Sequence, residues 1–309
     1  MRFVTFEIRG QTRHVGVLRA DRVIDLSILL SQTPGRVPSS QIDMFHLIGL
    51  GPEGLQVVAN ALSISDADLT ARESLVSLDQ VQLLAPIPRP RKNVICIGRN
   101  YEEHRTESIR ALGEAPQPRP EHPGIFTKAP TAVIGPYDDI PLDASISTMV
   151  DWEGELAFVI GRTGKNIRRE EALDYVFGYM ALNDISARDI QFRHGNQYFK
   201  GKSLDGFCPV GPWIVTPDEL GDPGDLRIVT RVNGIEKQNG NTRDMTFDVA
   251  SIIEILSLGM TLEAGDMVAT GTPPGMGHAL TPPEYLRPGD EVEVEIERIG
   301  TIKNRVVES

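Results

Sequence analysis

Two glutamates, Glu153 and Glu155, precede an apolar segment and can act on one ligand. Residues 156–160 (Leu-Ala-Phe-Val-Ile) predict a buried strand. Side chains two apart in a strand share a face, so we expect both carboxylates to point the same way, roughly 6–7 Å apart. Paired acids beside a core need a positive partner, and the hard cations Mg²⁺, Mn²⁺ and Ca²⁺ prefer oxygen ligands. The pair therefore indicates a metal site.

An isolated pair of this spacing is more often a solvated strand end. The segment 291–297 illustrates that alternative, because Glu alternates there with Val or Ile as on a strand with one wet face. What distinguishes Glu153 and Glu155 is the set of polar clusters that follows them in the chain.

The first of these clusters follows a second apolar segment, 177–182. Asp184, at the end of that predicted strand, can supply a third oxygen ligand, and three carboxylates with waters fill the octahedral shell of Mg²⁺ or Mn²⁺. Arg188 and Gln191, one helical turn apart, can bind a substrate carboxylate or ketone. The alternative is an ordinary helix start, capped by Asp184, with Arg188 paired to Asp189.

Two later segments offer groups for an anionic substrate. Lys202 precedes a predicted strand, where its ammonium can hold an oxyanion, whereas Lys200 is assigned to a solvated turn. The backbone amides of the glycine-rich loop 269–277 can bind a carboxylate, with help from the Thr272 hydroxyl. No Gly-Lys-Ser/Thr closes this loop and it opens no helix of a βαβ unit, which excludes the P-loop and dinucleotide sites.

A possible general base is the pair His104 and Glu107, which share a face if the segment is helical. A carboxylate beside an imidazole raises its basicity and fixes its tautomer. The alternative is a surface contact without catalytic use. The later histidines, at 122, 194 and 278, lack comparable partners in the sequence.

Short β-strands are the main elements that must position these residues. Alternating prolines at 86, 88 and 90 mark a boundary, so we expect a small N-terminal α/β domain over 1–80 and a second domain over 81–309. A proline-rich segment, 112–123, is a candidate lid. Many short strands and few helices predict an α+β, β-rich fold with a closed or rolled core and peripheral helices. The predicted strands of the first domain are 2–8, 14–18 and 22–26, and the predicted helices of the chain are near 44–50, 54–62, 169–176 and 247–258.

The composition is that of an ordinary globular protein of 309 residues, with 40% hydrophobic and 24% charged residues. The 43 acids exceed the 31 bases by 12, which argues against a nucleic-acid partner or an anionic membrane surface. Cys96 and Cys208 are predicted to be buried free thiols in a reducing compartment. No signal segment or membrane-length apolar run is recognisable, so we expect a cytoplasmic protein.

Together, these pieces resemble the fumarylacetoacetate hydrolase family from about residue 81 to 307. Each matching block is weak alone, but six in one order are specific. The blocks are Gly98-Arg99-Asn100-Tyr101 with His104 and Glu107; Phe126 and Lys128; Glu153-Gly154-Glu155-Leu156; Asn183-Asp184 with Ala187-Arg188-Asp189 and Gln191; Gly201-Lys202-Ser203 with Cys208-Pro209; and Thr270-Gly271-Thr272-Pro273 with Gly275 and Gly277.

The resemblance implies a mixed β-roll core in residues 81–309, a homodimer, and Mg²⁺ or Mn²⁺ bound by the three carboxylates, with Ca²⁺ as a possible substitute. It implies that His104, Glu107 and Lys202 are catalytic. The residues that it implies for substrate binding are Arg99, Tyr101, Lys128, Arg188, Gln191 and Thr272. The dyad of His104 and Glu107 fits the shorter-chain branch of the family, although the proline-rich insertion before Phe126 departs from that pattern.

For that branch the resemblance implies hydrolysis of a 2,4-dioxo acid, of the acylpyruvate or fumarylpyruvate type met in aromatic catabolism, to pyruvate and a carboxylic acid. The metal would polarise the 2-oxo group, the dyad would activate water, and Lys202 would hold the enolate. Oxaloacetate or other 2-oxo-acid decarboxylation, 2-oxo-acid hydration or isomerisation, and hydrolysis of a diketo sugar acid remain open on the same fold. A non-catalytic binding protein stabilised by Ca²⁺ is disfavoured, because the dyad and the basic groups would then have no role.

Overall fold

The computed structural model describes residues 1–8, 13–32, 42–195 and 197–309. The described strands are β1 (Arg2–Ile8), β2 (Arg13–Arg19), β3 (Arg22–Asp25), β4 (Leu75–Ser77), β5 (Val81–Leu83), β6 (Val94–Gly98), β7 (Gly124–Lys128), β8 (Val133–Ile134), β9 (Ile140–Leu142), β10 (Val150–Asp151), β11 (Gly154–Ile160), β12 (Val176–Asn183), β13 (Ser186–Ala187), β14 (Cys208–Val215), β15 (Arg227–Val232), β16 (Ile235–Asn241), β17 (Met267–Ala269), β18 (Glu291–Ile296) and β19 (Gly300–Glu308). The described α-helices are α1 (Leu26–Ser31), α2 (Met44–Gly49), α3 (Gly51–Leu62), α4 (Asp66–Ala71), α5 (Glu102–Ala111), α6 (Arg188–Arg193), α7 (Tyr198–Lys202), α8 (Pro217–Leu220) and α9 (Val249–Ser257).

The largest sheet runs in the order β4-β3-β2-β1-β14-β12-β11-β17-β6-β7, with β5 added on β1 and β8 on β14. Strands β11 and β12 lie near its middle, and every residue of both is buried. This burial on both faces explains why their sequences are nearly continuous apolar runs. The two strands pair antiparallel with Gly154 opposite Asn183, which brings the start of β11 beside the end of β12.

A second sheet, β16-β15-β18-β19-β9, packs on this layer, and β10 and β13 form a separate two-stranded pair. In β18 the residues Val292, Val294 and Ile296 are buried and the glutamates between them are partly exposed, as the alternation predicts. The fold is therefore α+β and rich in strands, as predicted. The described strands form open sheets that do not close into a barrel.

The N-terminal segment continues the main sheet, because Arg2 and Phe3 of β1 pair with Val215 and Ile214 of β14. All three strands predicted in this segment are present as β1 to β3, and both predicted helices are present as α2 and α3. The Asp25 carboxylate accepts a hydrogen bond from the Ile28 amide at 3.1 Å, which ends β3 and begins α1. The division into domains at residue 80 stays a prediction.

Two helices predicted later in the chain have different outcomes. The segment 169–176 forms a 3₁₀-helix, Arg169–Tyr175, in place of an α-helix. The segment 247–258 forms α9, whose N-cap Asp248 accepts from the Ser251 amide. Its residues at helical spacing, Val249, Ile252, Ile253 and Leu256, are all buried.

Cys96 and Cys208 are buried and free, as predicted. Within the described ranges, no helix is both long enough and apolar enough to cross a membrane.

Candidate active site

Glu153, Glu155 and Asp184 come together at one end of β11 and β12. Glu155 is the second residue of β11, Glu153 directly precedes that strand, and Asp184 directly follows β12. The pairing of Gly154 with Asn183 fixes this meeting, and the Asp184 amide donates to the Glu153 carbonyl at 2.8 Å. One carboxylate oxygen of each residue lies within 4.8 Å of the others, and all three residues are buried. The triad predicted from the sequence is therefore assembled in the fold.

The electrostatics of the triad fit a bound cation. Burial, followed by the charges of Asp184 and Glu153, raises the pKa of Glu155 well above its ordinary value, although the Gly271 amide donates to its carboxylate at 2.8 Å. Burial would also raise the pKa of Glu153, but Lys202 and Arg188 hold it below its ordinary value. Three buried carboxylates that converge on one point are a donor set suited to Mg²⁺, Mn²⁺ or Ca²⁺.

Lys202 and Lys128 neutralise part of the triad. The Lys202 ammonium lies 2.6 Å from Glu153 Oε2 and 2.7 Å from Asp184 Oδ2. Lys128 Nζ donates to Asp184 Oδ1 at 2.6 Å and to the Ile185 carbonyl at 3.0 Å. Burial alone would lower the pKa of Lys202, but Asp184 and Glu153 raise it above its ordinary value, so this ammonium stays charged.

The position predicted for Lys202, in front of a strand, is wrong, because this residue ends the short helix α7. Gly201 explains the difference: a Cβ there would lie 2.7 Å from the Ala187 carbonyl oxygen and 2.9 Å from the Gln191 amide. Glycine thus lets α7 lie directly on α6, which brings Lys202 to the triad. Lys200 is exposed, as predicted.

Arg188 belongs to the site and does not pair with Asp189. Its Nε donates to Asp151 Oδ2 at 2.9 Å, its Nη2 to Glu153 Oε1 at 2.5 Å, and its Nη1 to Gln191 Oε1 at 3.3 Å. Burial alone would lower the pKa of Arg188, but Glu153 and Asp151 raise it. Arg188 and Gln191 thus lie one turn apart on the same face of α6, as predicted.

The predicted pair His104 and Glu107 lies on α5, with His104 Nδ1 at 3.0 Å from Glu107 Oε1. The Gly275 amide donates to both carboxylate oxygens of Glu107, each at 3.0 Å. The side chains of His104 and Glu107 are 6% and 13% exposed, so the dyad is largely shielded from water and is not a surface contact. The dyad is formed here with residues 112–123 in an irregular, mostly exposed conformation.

The loop 270–277 contributes mainly backbone groups. Gly271 has a φ of +96°, and a Cβ at this position would lie 2.8 Å from the Asn100 Cβ, so glycine is required where the loop amide reaches Glu155. The Thr272 hydroxyl donates to the Gly154 carbonyl and accepts from Gln238, so its proton is already engaged within the framework.

The substrate-binding roles assigned to Arg99, Tyr101 and Lys128 stay predictions. Arg99 has a φ of +54° and borders the cleft. Tyr101 is 1% exposed and its hydroxyl has no partner among the described residues. Lys128 is fully buried behind Asp184.

Most of these groups line one cleft that is partly open to solvent. Its lining includes Glu153, Glu155, His104, Lys202, Arg188, Gln191 and Thr272. Two residues that sequence reasoning did not assign also shape it. The Asp151 carboxylate accepts hydrogen bonds from Arg188 and from the Gly277 and His278 amides. In the sequence, its position two residues before Glu153 could have identified it. His278 lines the cleft, and Tyr285, the partner of its ring, was not recognised in the sequence.

Comparison with known proteins shows which family has this architecture. The protein-family model described as "Fumarylacetoacetate (FAA) hydrolase C-terminal" matches residues 93–307 of this chain. Oxaloacetate tautomerase YisK of Bacillus subtilis is 46% identical over 258 residues, which cover 82% of this chain and 84% of the relative.

Two solved structures resemble the whole chain. A fumarylacetoacetate hydrolase from Exiguobacterium antarcticum has a TM-score of 0.82 and 40% identity, with 100% of both chains covered. Maleylpyruvate hydrolase from Sphingobium sp. SYK-6, in complex with manganese(II) and pyruvate, has a TM-score of 0.76 and 32% identity, again with 100% of both chains covered. By the extent and identity of these matches, the chain belongs to the fumarylacetoacetate hydrolase family of enzymes.

Proposed function

We propose that this protein is a metal-dependent isomerase that interconverts the keto and enol forms of oxaloacetate. The observation that carries the proposal is that His104, the partner of Glu107, lines the same cleft as Glu153 and Glu155, so a base lies beside a cation site. The relative from B. subtilis is named an oxaloacetate tautomerase, which supports the isomerase alternative over acylpyruvate hydrolysis.

Glu153, Glu155 and Asp184 would hold the Mg²⁺ or Mn²⁺, which supplies a Lewis acid for the 2-oxo group when bound. Arg188 and Gln191 line the same cleft and provide hydrogen-bond donors for a carboxylate of the substrate. Burial of these groups strengthens each interaction, because little water is left to screen them.

His104 is the proposed base. Because Glu107 accepts the Nδ1 hydrogen of His104, the lone pair of the neutral ring lies on Nε2. In the keto-to-enol direction, His104 takes a proton from C3, the C2=C3 double bond forms, and the carbonyl electron pair moves to the 2-oxo oxygen. That oxygen then takes the proton from the His104 imidazolium, which returns the ring to its neutral form. Glu107 stabilises the imidazolium that forms, and the Gly275 amide keeps Glu107 in place.

Lys202 is the proposed partner of the developing enolate. An ammonium has three hydrogens, and Glu153 and Asp184 engage two of them here. The third is available to the 2-oxo oxygen, where negative charge collects as C3 loses its proton.

Hydrolysis of acylpyruvates, the main prediction from the sequence, is the second candidate. The maleylpyruvate hydrolase that resembles this chain was solved with manganese(II) and pyruvate, which favours such chemistry on this fold. Hydrolysis requires the same dyad to activate a water molecule in place of removing a carbon-bound proton. The homodimer, the cytoplasmic location and the absence of nucleic-acid or membrane partners stay predictions.

The test is to dissolve enol oxaloacetate and follow the loss of its ultraviolet absorbance. We expect the enzyme with Mg²⁺ or Mn²⁺ to accelerate the decay well above buffer with the same metal, and EDTA to abolish the difference. Pyruvate should not accumulate faster than in buffer. Release of pyruvate from acetylpyruvate without any acceleration of enol decay would instead establish the hydrolase.

A further inference from the structure

His278 is a second histidine in the cleft, apart from the His104–Glu107 dyad. It lies in the 3₁₀-helix Gly277–Ala279 and its side chain lines the cleft together with Arg188 and Gln191. Its Nδ1 is 2.8 Å from the Tyr285 hydroxyl. The mechanism above makes no use of this ring, although it is held in a defined position.

Three contacts fix that position. The His278 amide donates to Asp151 Oδ2 at 3.1 Å, which ties its backbone to the residue that also accepts from Arg188. The ring centroid lies 5.2 Å from that of Phe192 and 6.1 Å from that of Tyr285. In the ranges that the structure describes, the one hydrogen bond of the His278 ring is the one between Nδ1 and Tyr285. A ring flanked by Phe192 and Tyr285, on a backbone tied to Asp151, is preorganised to bind a ligand through Nε2.

The hydrogen bond with Tyr285 sets which nitrogen of the neutral His278 ring carries the proton. Burial, followed by the charge of Arg188, lowers the pKa of His278, against a smaller opposing effect of Asp151. When the Tyr285 hydroxyl donates to Nδ1 of this neutral ring, the ring proton lies on Nε2.

The neighbours of His278 add donors to the same wall. Arg188 Nη1 carries two hydrogens, of which one is directed to Gln191 Oε1 and the other is available. Since Gln191 accepts through Oε1, its amide nitrogen presents hydrogens as well. Donors from three side chains on one wall match a carboxylate, which accepts several hydrogen bonds.

We infer that His278, with Arg188 and Gln191, binds the second carboxylate of the substrate and makes the enzyme selective for dicarboxylic 2-oxo acids. The inference rests on the proposed function, in which the carboxylate triad serves the 2-oxo end of the substrate and the other carboxylate must find donors elsewhere. The loop that anchors Glu107 through Gly275 carries His278 three residues later, so base and second-carboxylate site share one support.

Binding of two non-reacting hydroxy acids tests this selectivity. Malate has a second carboxylate and 2-hydroxybutanoate lacks it, and their affinities for the Mg²⁺-loaded enzyme can be measured by calorimetry. His278→Phe keeps a ring but removes the donor. We expect it to lower the affinity for malate about tenfold, as for loss of one hydrogen bond to a charged group. Affinity for 2-hydroxybutanoate should not change. His278→Gln retains a neutral N–H donor and should restore most of the malate affinity.

The matched control is His194→Phe, the same exchange at an exposed position at the end of α6, which should leave both affinities unchanged. Tyr285→Phe removes the bond to Nδ1 and should weaken malate less than His278→Phe does. The inference would be overturned if His278→Phe lost affinity equally for both ligands, or if the wild type bound malate no more tightly than 2-hydroxybutanoate.

Kinetics separate this inference from the proposed function. If wild type accelerates oxaloacetate tautomerisation, His278→Phe should raise KM for oxaloacetate about tenfold with little change in kcat. If wild type does not act on oxaloacetate, the proposed function fails, while the malate preference and its loss in His278→Phe still decide the role of His278.

Discussion

Glu107 and Gly275, 168 residues apart in the chain, are joined by a bifurcated hydrogen bond: the Gly275 amide lies 3.0 Å from each carboxylate oxygen of Glu107. The same carboxylate lies 3.0 Å from His104 Nδ1. The loop that approaches the carboxylate triad through Gly271 therefore also fixes the base. The His104–Glu107 dyad is thus held on one side by the loop that carries Gly275, and Arg105 of the same helix donates to the Gln117 carbonyl of segment 112–123 at 2.9 Å.

Replacement of His104 by Ala should slow oxaloacetate tautomerisation about 10²–10⁴-fold, because a positioned general base contributes that much. Metal affinity should stay within twofold, since His104 supplies no carboxylate to the triad. Rates of enol decay and calorimetric titration with Mn²⁺ check the two statements. Glu103→Gln, on the exposed side of the same helix, is the control and should behave as wild type. Undiminished turnover in His104→Ala would show that another group removes the proton.

Replacement of Glu155 by Gln should abolish metal binding and activity together, because it removes one of three converging carboxylates. The metal-free variant should be at least as stable as the metal-free wild type, since the exchange removes a buried charge that burial, Asp184 and Glu153 all disfavour. At a hundredfold excess of metal over its Kd, wild type should gain about 2.7 kcal/mol of unfolding free energy. Thermal unfolding with and without Mn²⁺ measures both effects.

The matched variant is Glu295→Gln on β18, which should keep the full stabilisation by metal. A Glu155→Gln protein that still gains stability from Mn²⁺ would contradict the assignment of the triad.

The two lysines of α7 provide a paired test. Lys202→Met should reduce kcat about 10²–10³-fold, as for loss of one donor to a developing oxyanion. Lys200→Met should have no effect, because Lys200 is exposed while Lys202 is 2% exposed and bound to Glu153 and Asp184. Metal binding should survive in both. Equal rates for the two variants would remove Lys202 from the mechanism.

Asp151 should stabilise the site without contacting the reacting carbon. Its carboxylate accepts from Arg188 Nε and from three amides, those of Trp152, Gly277 and His278. Asp151→Asn weakens a buried ion pair, so we expect a loss of about 3 kcal/mol in unfolding free energy. Urea denaturation measures this loss, with the exposed Asp205→Asn as control. A stability equal to wild type would show that Arg188 relies on Glu153 alone.

Most residues around the triad could be predicted because the patterns that identify them lie within short stretches of the sequence. Apolar runs identify β11 and β12, and a spacing of three residues places His104 and Glu107 on one face of α5. The position of Lys202 was wrong because it depends on a close approach of α7 to α6 at Gly201, which is tertiary information. The same reason hides the Gly275–Glu107 bond and the contacts of Asp151 with the loop, since their partners are more than 100 residues apart.

The most direct test of the central claim compares two reactions of one metal-loaded preparation. Tautomerisation of oxaloacetate is followed by enol absorbance, and hydrolysis of acetylpyruvate and fumarylpyruvate by pyruvate release. We predict a larger kcat/KM for tautomerisation than for either hydrolysis. Addition of EDTA and the substitution His104→Ala should each abolish the tautomerisation. A larger kcat/KM for hydrolysis, with oxaloacetate enol decaying at the rate seen in buffer, would contradict the proposed function.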